Sequence, residues 1–425
     1  MIKLGVIADD FTGGTDIASF LVAEGLSTLQ VIGVPQDTQE ITADAVVVSL
    51  KSRSCPKEEA IRDSLEAVRY LRAQGCEHFF FKYCSTFDST AEGNIGPVTD
   101  ALMQELGVKT TVISPALPVN GRQVYQGYLF VKGQLIAESP MKDHPVNPMR
   151  DSSLKRLMEM QSQGKCAIIS HDVLVKGPAA LRAELERLSA EGYAYVSLDA
   201  IDDRDLEVQG EVLKDYTLVT GGSGLGKAIA RALLKGTEAK AATQKGEPNY
   251  RRTVVLSGSC SAMTQAQVKT YQGKAPSFAV DIARCVGSQA EVEAYAREVL
   301  AFVQENSQGE GKDAPLAPLV YATSDPDKLH QIQAQYGAKA SSQAIENFFY
   351  TLAGLLKSAG FCKYVIAGGE TSGQITKALG VAGFYIGPSI APGVPWVKAI
   401  NADISLALKS GNFGDENFFE YAQRV

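Results

Sequence analysis

The stretch "GVIADDFTGGTDIA" (Gly5–Ala18) holds an apolar run, two adjacent aspartates, a Thr-Gly-Gly turn and the start of an amphipathic segment. A short apolar run cut off by polar and glycine residues reads as a buried strand, with a helix over Gly13–Glu24 beyond it. Adjacent carboxylates repel each other, so Asp9 and Asp10 call for open water or a cationic guest. Working outward, the same unit recurs. Strands are predicted at Lys3–Ala8, Thr28–Gly33, Ala45–Leu50, His78–Lys82 and Thr110–Ser114, with helices at Lys57–Ala73 and Ile95–Leu106 between them. That alternation predicts an α/β fold, a largely parallel sheet flanked by helices. Ligand loops then belong at the carboxyl ends of the strands, near the point where strand order reverses. "ADD", "KSRS" (Lys51–Ser54), "KYCSTFDST" (Lys82–Thr90) and "SPALPVNGR" (Ser114–Arg122) all fall on that edge.

"RQVYQGYLFVKGQ" (Arg122–Gln134) alternates by two and reads as a hairpin around its Lys-Gly turn. The strand–helix rhythm resumes through Cys166–Ser170, Tyr195–Leu198 and Thr217–Val219. The polar stretch Lys235–Arg252 reads as a linker. A second α/β unit opens at "TVVLSGSCS" (Thr253–Ser261). It continues through a helix near Ser288–Glu305, a strand near Pro318–Ala322, a helix near Ala340–Ala359 and the strand-to-loop stretch "KYVIAGGETSG" (Lys363–Gly373). Two domains are expected, residues 1–240 and 250–425. A chain of 425 residues exceeds the roughly 250–300 at which one core stops growing.

Bulk composition narrows the function. The apolar share of 45% and charged share of 21% suit a globular chain, and the net charge of −7 argues against nucleic acid as a partner. Seven cysteines form no C-x-x-C pair, and only four histidines are scattered among them, so reduced thiols are a simpler reading than structural zinc. No apolar run approaches the roughly 20 residues of a membrane span, and the N-terminus lacks a signal-peptide pattern. A cytoplasmic protein with no membrane partner is the expectation. The oligomeric state stays open, a homodimer among the options.

Three glycine-rich stretches compete for a phosphate. "GGSGLGKA" (Gly221–Ala228) has Walker A spacing, but Ala228 stands where the magnesium-binding hydroxyl belongs. The plainer reading is a helix start packed near a ligand or a neighbouring strand. "AGGETSG" (Ala367–Gly373) and "LSGSCSAMT" (Leu256–Thr264) each run from strand through turn into helix, which suits an anion cradle of backbone N–H groups. "KSGNFG" (Lys409–Gly414) is a candidate third wall. In the first domain Arg53, Lys82 and Arg122 are cations at strand ends. Asp9, Asp10 and Asp88 are carboxylates there, and Ser52, Ser85, Thr86 and Asn120 supply neutral hydrogen bonds. That inventory suits a small polyhydroxylated acid.

Together, "GVIADDFTGGTDIA", "FKYCSTFDSTAEGNIGPV", "SPALPVNGRQVYQGYLFV", "HPVNPMRDSSL", "TGGSGLG", "LSGSCSAMTQAQV" and "AGGETSG" resemble the four-carbon acid sugar kinase family, nearest to its 3-oxo-tetronate 4-kinases. The resemblance covers essentially the whole chain. It implies an N-terminal sugar-acid domain, a C-terminal nucleotide domain, and ATP with Mg²⁺ as the phosphoryl donor. It also implies transfer to the 4-hydroxyl of 3-oxo-tetronate. D-threonate, D-erythronate and a non-catalytic sugar-acid sensor are the alternatives. The resemblance further implies that Ser257, Ser259, Gly368, Gly369, Glu370, Thr371 and Gly411 or Gly414 hold ATP. Asp9, Asp10, Arg53, Lys82, Asp88 and Asn120 would line the acceptor site, and Arg122 belongs with them as a strand-end cation. Asp10 is the first candidate for the base and Asp9 the second, with helix capping by Asp10 as the competing duty. Alternation along an extended segment predicts that the two aspartates do not meet the same atom. One small departure from the family pattern is Gly14, where many relatives carry Ala; its expected effect is only a lower helix propensity.

Overall fold

The computed structural model describes residues 2–35, 41–143, 147–236, 242, 244–322, 337–409 and 413–425, with the side chains at 244, 338 and 339 left aside. The chain divides into two compact units, Met1–Ala242 and Thr243–Val425. Each is an α/β unit built on its own run of strands.

Unit one contains β1 (Leu4–Ala8), β2 (Thr28–Ile32), β3 (Ala45–Ser49), β4 (Phe79–Lys82) and β5 (Thr111–Ser114). A small sheet of β6 (Arg122–Tyr125), β7 (Tyr128–Val131) and β8 (Gln134–Leu135) follows, then β9 (Cys166–Ile169), β10 (Tyr195–Leu198) and β11 (Leu218–Gly221). The main sheet runs β2-β3-β1-β4-β11-β5-β10-β9, and every pairing in it is parallel. Its strands read as continuous apolar runs because helices cover them: β1, β3 and β4 are buried at every position. The covering helices fall into two groups. Phe11–Ala23 packs on Ser223–Leu234, which packs on Asp203–Leu213, while Lys57–Ala73 packs on Ile95–Leu106. After β1 the chain builds β2 and β3 on one side and then crosses to β4 on the other, so strand order reverses between β1 and β4.

The stretch predicted as one hairpin is a three-stranded meander. Besides the Lys132–Gly133 turn there is a second turn at Gln126–Gly127, with φ of 52° and 72°. Positive φ at both centres is the signature of the tight turns that match strand twist. Gln126 hid this one, because Asn or Asp is the usual first residue there.

Unit two contains β12 (Thr253–Ser257), β13 (Ser277–Ala279), β14 (Leu319–Tyr321), β15 (Lys363–Ala367), β16 (Gly383–Ala391), β17 (Val394–Ala399) and β18 (Ser405–Lys409). The order is β13-β14-β12-β15-β18-β17-β16, parallel through β18 and antiparallel beyond. Trp396, fully buried, centres a core with Val255, Val365, Tyr271 and Phe419. Here strand order reverses between β12 and β15. Among the described residues no helix is long and apolar enough to cross a membrane.

Candidate active site

In unit one the reversal point brings together the loops after β1, β3 and β4. Backbone bonds lock them: Ser52 and Arg53 donate to the Asp9 carbonyl (2.9 and 3.1 Å), and Asp9 N–H donates to the Lys82 carbonyl (3.0 Å). Arg53 then grips Asp9 in a fork, Nε to Oδ2 at 2.9 Å and Nη2 to Oδ1 at 2.8 Å. The same Nη2 donates to Asp10 Oδ1 at 2.7 Å, and Nη1 lies 3.6 Å from Asp88 Oδ2. The cationic guest demanded by the two aspartates is therefore Arg53. Contrary to the alternation argument, both aspartates meet one nitrogen. The strand stops at Ala8, and a long guanidinium laid across its end reaches both side chains.

The two aspartates differ in what remains open to them. Asp9 is 3% exposed with both oxygens engaged. Burial pushes its carboxyl pKa up while Arg53 pulls it down, the burial effect being larger. The acids around Arg53 hold that guanidinium in its charged form. Asp10 caps the helix Phe11–Ala23, accepting from Gly13 N–H at 2.9 Å. This bond and the Arg53 bond both fall on Oδ1 of a partly exposed side chain, and among the described residues no hydrogen bond falls on Oδ2. The helix-capping duty expected of Asp10 is therefore present, and it uses the same oxygen as the Arg53 contact.

Asp88 sits on a strained turn. Phe87 and Asp88 have φ of 58° and 23°, a region that ordinary side chains avoid at a cost of about 1–3 kcal/mol each. The fully buried Phe87 ring holds the turn by packing edge-on against Tyr83, at 5.4 Å between centroids. Tyr83 is in turn anchored to Thr220 through a 2.9 Å hydrogen bond. Lys82, 2% exposed, donates to the Tyr83 carbonyl at 2.9 Å and makes no ion pair among the described residues. Asn94 was missed by the sequence reading. It precedes a helix and would pass for a cap, yet its amide donates to the carbonyls of Ser52 (2.8 Å) and Cys55 (2.9 Å), fixing the loop that carries Arg53.

Arg122 opens the meander, and Asn120 ends the short turn Pro118–Asn120 just before it. Asp199 accepts from the N–H groups of Gln126 (2.7 Å) and Gly127 (2.9 Å) and so anchors it to the sheet end. Asn120 is exposed, and its carbonyl accepts from Arg122 Nη1. Arg122 Nε is buried with no hydrogen-bond partner among the described residues.

The Walker-like stretch is explained by packing. A Cβ on Gly221, Gly222 or Gly224 would come within 2.4–2.5 Å of the carbonyls of Ser114, Pro115 and Ala116. Lys227 is turned to Asp203 at 3.0 Å. These glycines let one strand–helix turn lie directly on its neighbour.

In unit two, Ser257 ends β12 and Ser261 caps the helix Ala262–Gln272, accepting from Thr264 N–H. Ser259 contacts Ser261 within that turn. Across the reversal point, Gly368 (φ 121°) starts the helix Gly369–Ala378, and among the described residues no side chain caps it. Its first-turn N–H groups are thus available to an anion. A Cβ on Gly258 would lie 2.2 Å from Thr371 Oγ1, and one on Gly368 3.2 Å from Ser259 N, so the two loops touch only because both residues are glycine. Glu370 is exposed at the mouth and Thr371 is buried. Lys409, at the end of β18, opens the stretch read as a candidate third wall but is not among the residues assigned individually to ATP. It is 1% exposed, its carbonyl accepts from Gly368 N–H (2.9 Å), and its ammonium donates to Thr264 Oγ1 (3.0 Å). Burial pushes its pKa down to about 8. Gly414 (φ 75°) turns the chain onto Phe418, whose ring a Cβ there would meet at 2.6 Å. Gly411 lies outside the described residues, as does part of the His144–Met149 stretch.

Two family models match this chain, a sugar-binding N-terminal domain over residues 4–229 and a nucleotide-binding C-terminal domain over residues 254–419. The chain belongs to the four-carbon acid sugar kinase family. Relatives within it align end to end. The chain is similar to the 3-oxo-tetronate kinase of Salmonella typhimurium (57% identity, 100% of this chain and 99% of the relative). It is also similar to that of Pectobacterium atrosepticum (54%, 100% and 99%). A crystal structure from Salmonella typhimurium LT2, described provisionally as a tRNA synthase, superimposes with a TM-score of 0.94 at 57% identity over 100% of this chain and 99% of that one.

Proposed function

We propose that the protein transfers the γ-phosphoryl group of ATP to the 4-hydroxyl of 3-oxo-tetronate. The observation that carries this reading is the end-to-end match, at 57% identity, to a relative named for that activity. Geometry supports it. In unit two the uncapped helix at Gly369, the Ser257–Ser261 turn and the buried Lys409 form a cradle that a single Cβ would fill, which suits the phosphates of ATP. Mg²⁺ is usually held by substrate phosphates and one or two carboxylates, and it neutralises charge on the transferring group. Glu370 or the unit-one aspartates are of the right type for it.

In unit one Arg53 is already neutralised by the protein's own acids, so it positions rather than binds. Its fork orients Asp9, and Asp9 holds Arg53 against Asp10. Lys82 and Arg122, which lack carboxylate partners among the described residues, are the cations for the acceptor's carboxylate. Asp88 accepts from its hydroxyls, and Asn120 accepts from or donates to them. Asp10 Oδ2 takes the proton of the attacking hydroxyl, with Arg53 and the helix start keeping that carboxylate aimed. The net charge of −7 disfavours a nucleic-acid substrate.

ADP release in a coupled assay tests this, with 3-oxo-tetronate generated in situ, D-threonate, D-erythronate, L-threonate and a no-acceptor control. Turnover on 3-oxo-tetronate above the other acids is the expected outcome. Preference for another acid would reassign the substrate. Silence across the panel with ATP still bound would turn the reading toward a sensor.

A further inference from the structure

A second charged site lies at the opposite ends of the unit-two strands. Thr253 opens β12, Lys363 opens β15 and Ala317 precedes β14; with Tyr250, Lys312 and Arg424 they line a narrow recess. Lys363 is 1% exposed. Its ammonium lies 4.4 Å from the centre of the Tyr250 ring and 4.7 Å from that of Trp396, and its hydrogen bond to the Gln423 carbonyl is long, at 3.4 Å. An ammonium has three donors, so one long bond leaves this buried charge under-solvated. Two more cations surround it. Lys312 Nζ is 5.6 Å from the same Tyr250 ring. Arg424 is fixed by Nη1 bonds to the carbonyls of Lys312 (2.8 Å) and Ala314 (2.9 Å). A fourth cation at the rim, Arg251, is paired with Asp403. Among the described residues, none that lines the recess is acidic, in a chain whose net charge is −7. Burial, then repulsion from Lys312 and Arg424, hold the Lys363 pKa down to about 8.

We propose that this recess binds a small tetrahedral oxyanion of the phosphate class between Lys363, Lys312 and Arg424. Such an ion supplies acceptors for the unused ammonium donors, and the guanidinium of Arg424 offers it a second edge. The narrowness of the recess favours a free ion over a nucleotide. Bound there, the ion ties the helix Phe418–Arg424 to the start of β15 and stabilises unit two by linkage. The site stands at the far strand ends from the Gly258 and Gly368 loops, so it does not depend on the kinase reading.

Calorimetric titration of the full chain with inorganic phosphate, ATP absent, tests the proposal. The wild type and Gly369→Val should bind. Lys312→Ala, a change at an exposed residue, should weaken binding by about tenfold or more, and Lys363→Met should abolish it. Two results would overturn it: no phosphate binding by the wild type, or binding unchanged in Lys312→Ala and lost in Gly369→Val, which would place phosphate on the glycine loops alone. Glycerol 3-phosphate runs as a parallel arm, and equal binding of that ester would overturn the choice of a free ion.

Discussion

Replacing Lys409 by methionine should make the protein more stable and a worse kinase. The side chain is 1% exposed, and burial depresses its pKa from 10.5 to about 8. At about 1.4 kcal/mol per pH unit, keeping that ammonium charged near pH 7 costs on the order of 3 kcal/mol. Methionine has nearly the same length and no charge. It loses the charge-assisted bond to Thr264, worth about 1.5–3 kcal/mol, so the net gain is at most on the order of 1–2 kcal/mol. The pH dependence gives an independent signature. Between pH 8 and 10.5 the unfolded chain still binds this proton and the folded chain does not, so wild-type stability rises across that window. The burial penalty is absent above the unfolded pKa of 10.5 and complete once pH has fallen below about 8. Lys363 is depressed to about 8 as well, so Lys409→Met should roughly halve the slope rather than flatten it. If the ammonium serves the phosphates of ATP, its removal should raise the KM for ATP by about 10- to 100-fold. Urea melts at pH 7 and pH 10, with ATP titrations at fixed acceptor, read all three. A variant less stable at pH 7 with an unchanged KM for ATP would refute the argument.

The remaining predictions concern unit one and the loop contact. Asp10→Asn keeps a good helix cap, so its melting temperature should stay near wild type while kcat falls by about 10²–10⁴; an unchanged kcat would remove Asp10 as the base. Asp9→Asn should instead show itself in stability, with a loss of about 3–5 kcal/mol, because it leaves the Arg53 charge short of its buried partner; denaturant melts measure this. Gly258→Ala pushes a methyl to 2.2 Å from Thr371 Oγ1 and should raise the KM for ATP without moving that of the acceptor. A shift in the acceptor KM alone would mean that the two units' roles are reversed.

The α/β alternation was legible because parallel strands buried on both faces leave a strong apolar signal, as in β1 and β4. The placement of Asp9, Asp10 and the glycine loops at strand ends followed from the same signal. Residues whose job is set by distant partners were not legible. Asn94 looks like a cap until the Ser52–Cys55 loop is seen against it. Lys409 looks like an ordinary strand-end cation until Gly368 and Thr264 close over it. The second turn of the meander was hidden because Gln126 adopts a positive φ that composition does not advertise. Asp199, whose carboxylate receives its backbone amides, lies 72 residues from Gly127.

Gly14 shows how far a local rule misleads when packing decides. On helix propensity alone, Gly14→Ala should stabilise the helix Phe11–Ala23 by about 1 kcal/mol. In the fold, the added methyl would sit 2.0 Å from Ser49 Oγ and 3.1 Å from Gln30 Nε2. Ser49 Oγ accepts from Gln30 Nε2 at 2.8 Å inside a buried group that also includes Thr15, so it has nowhere to retreat without breaking that bond. A broken buried bond costs about 1–3 kcal/mol, which outweighs the propensity gain. The single change should therefore lower the melting temperature. Ser49→Ala removes the colliding oxygen, so the double variant should recover part of the loss. Additive effects in this cycle would mean that the two side chains do not meet, and that glycine at this position reflects the helix alone. The outcome bears on the site as well, because this helix begins at the Asp10 cap. A methyl that moves the helix away from β3 also moves the carboxylate that Arg53 and Gly13 hold in place, so kcat should fall in the single variant and return with Ser49→Ala.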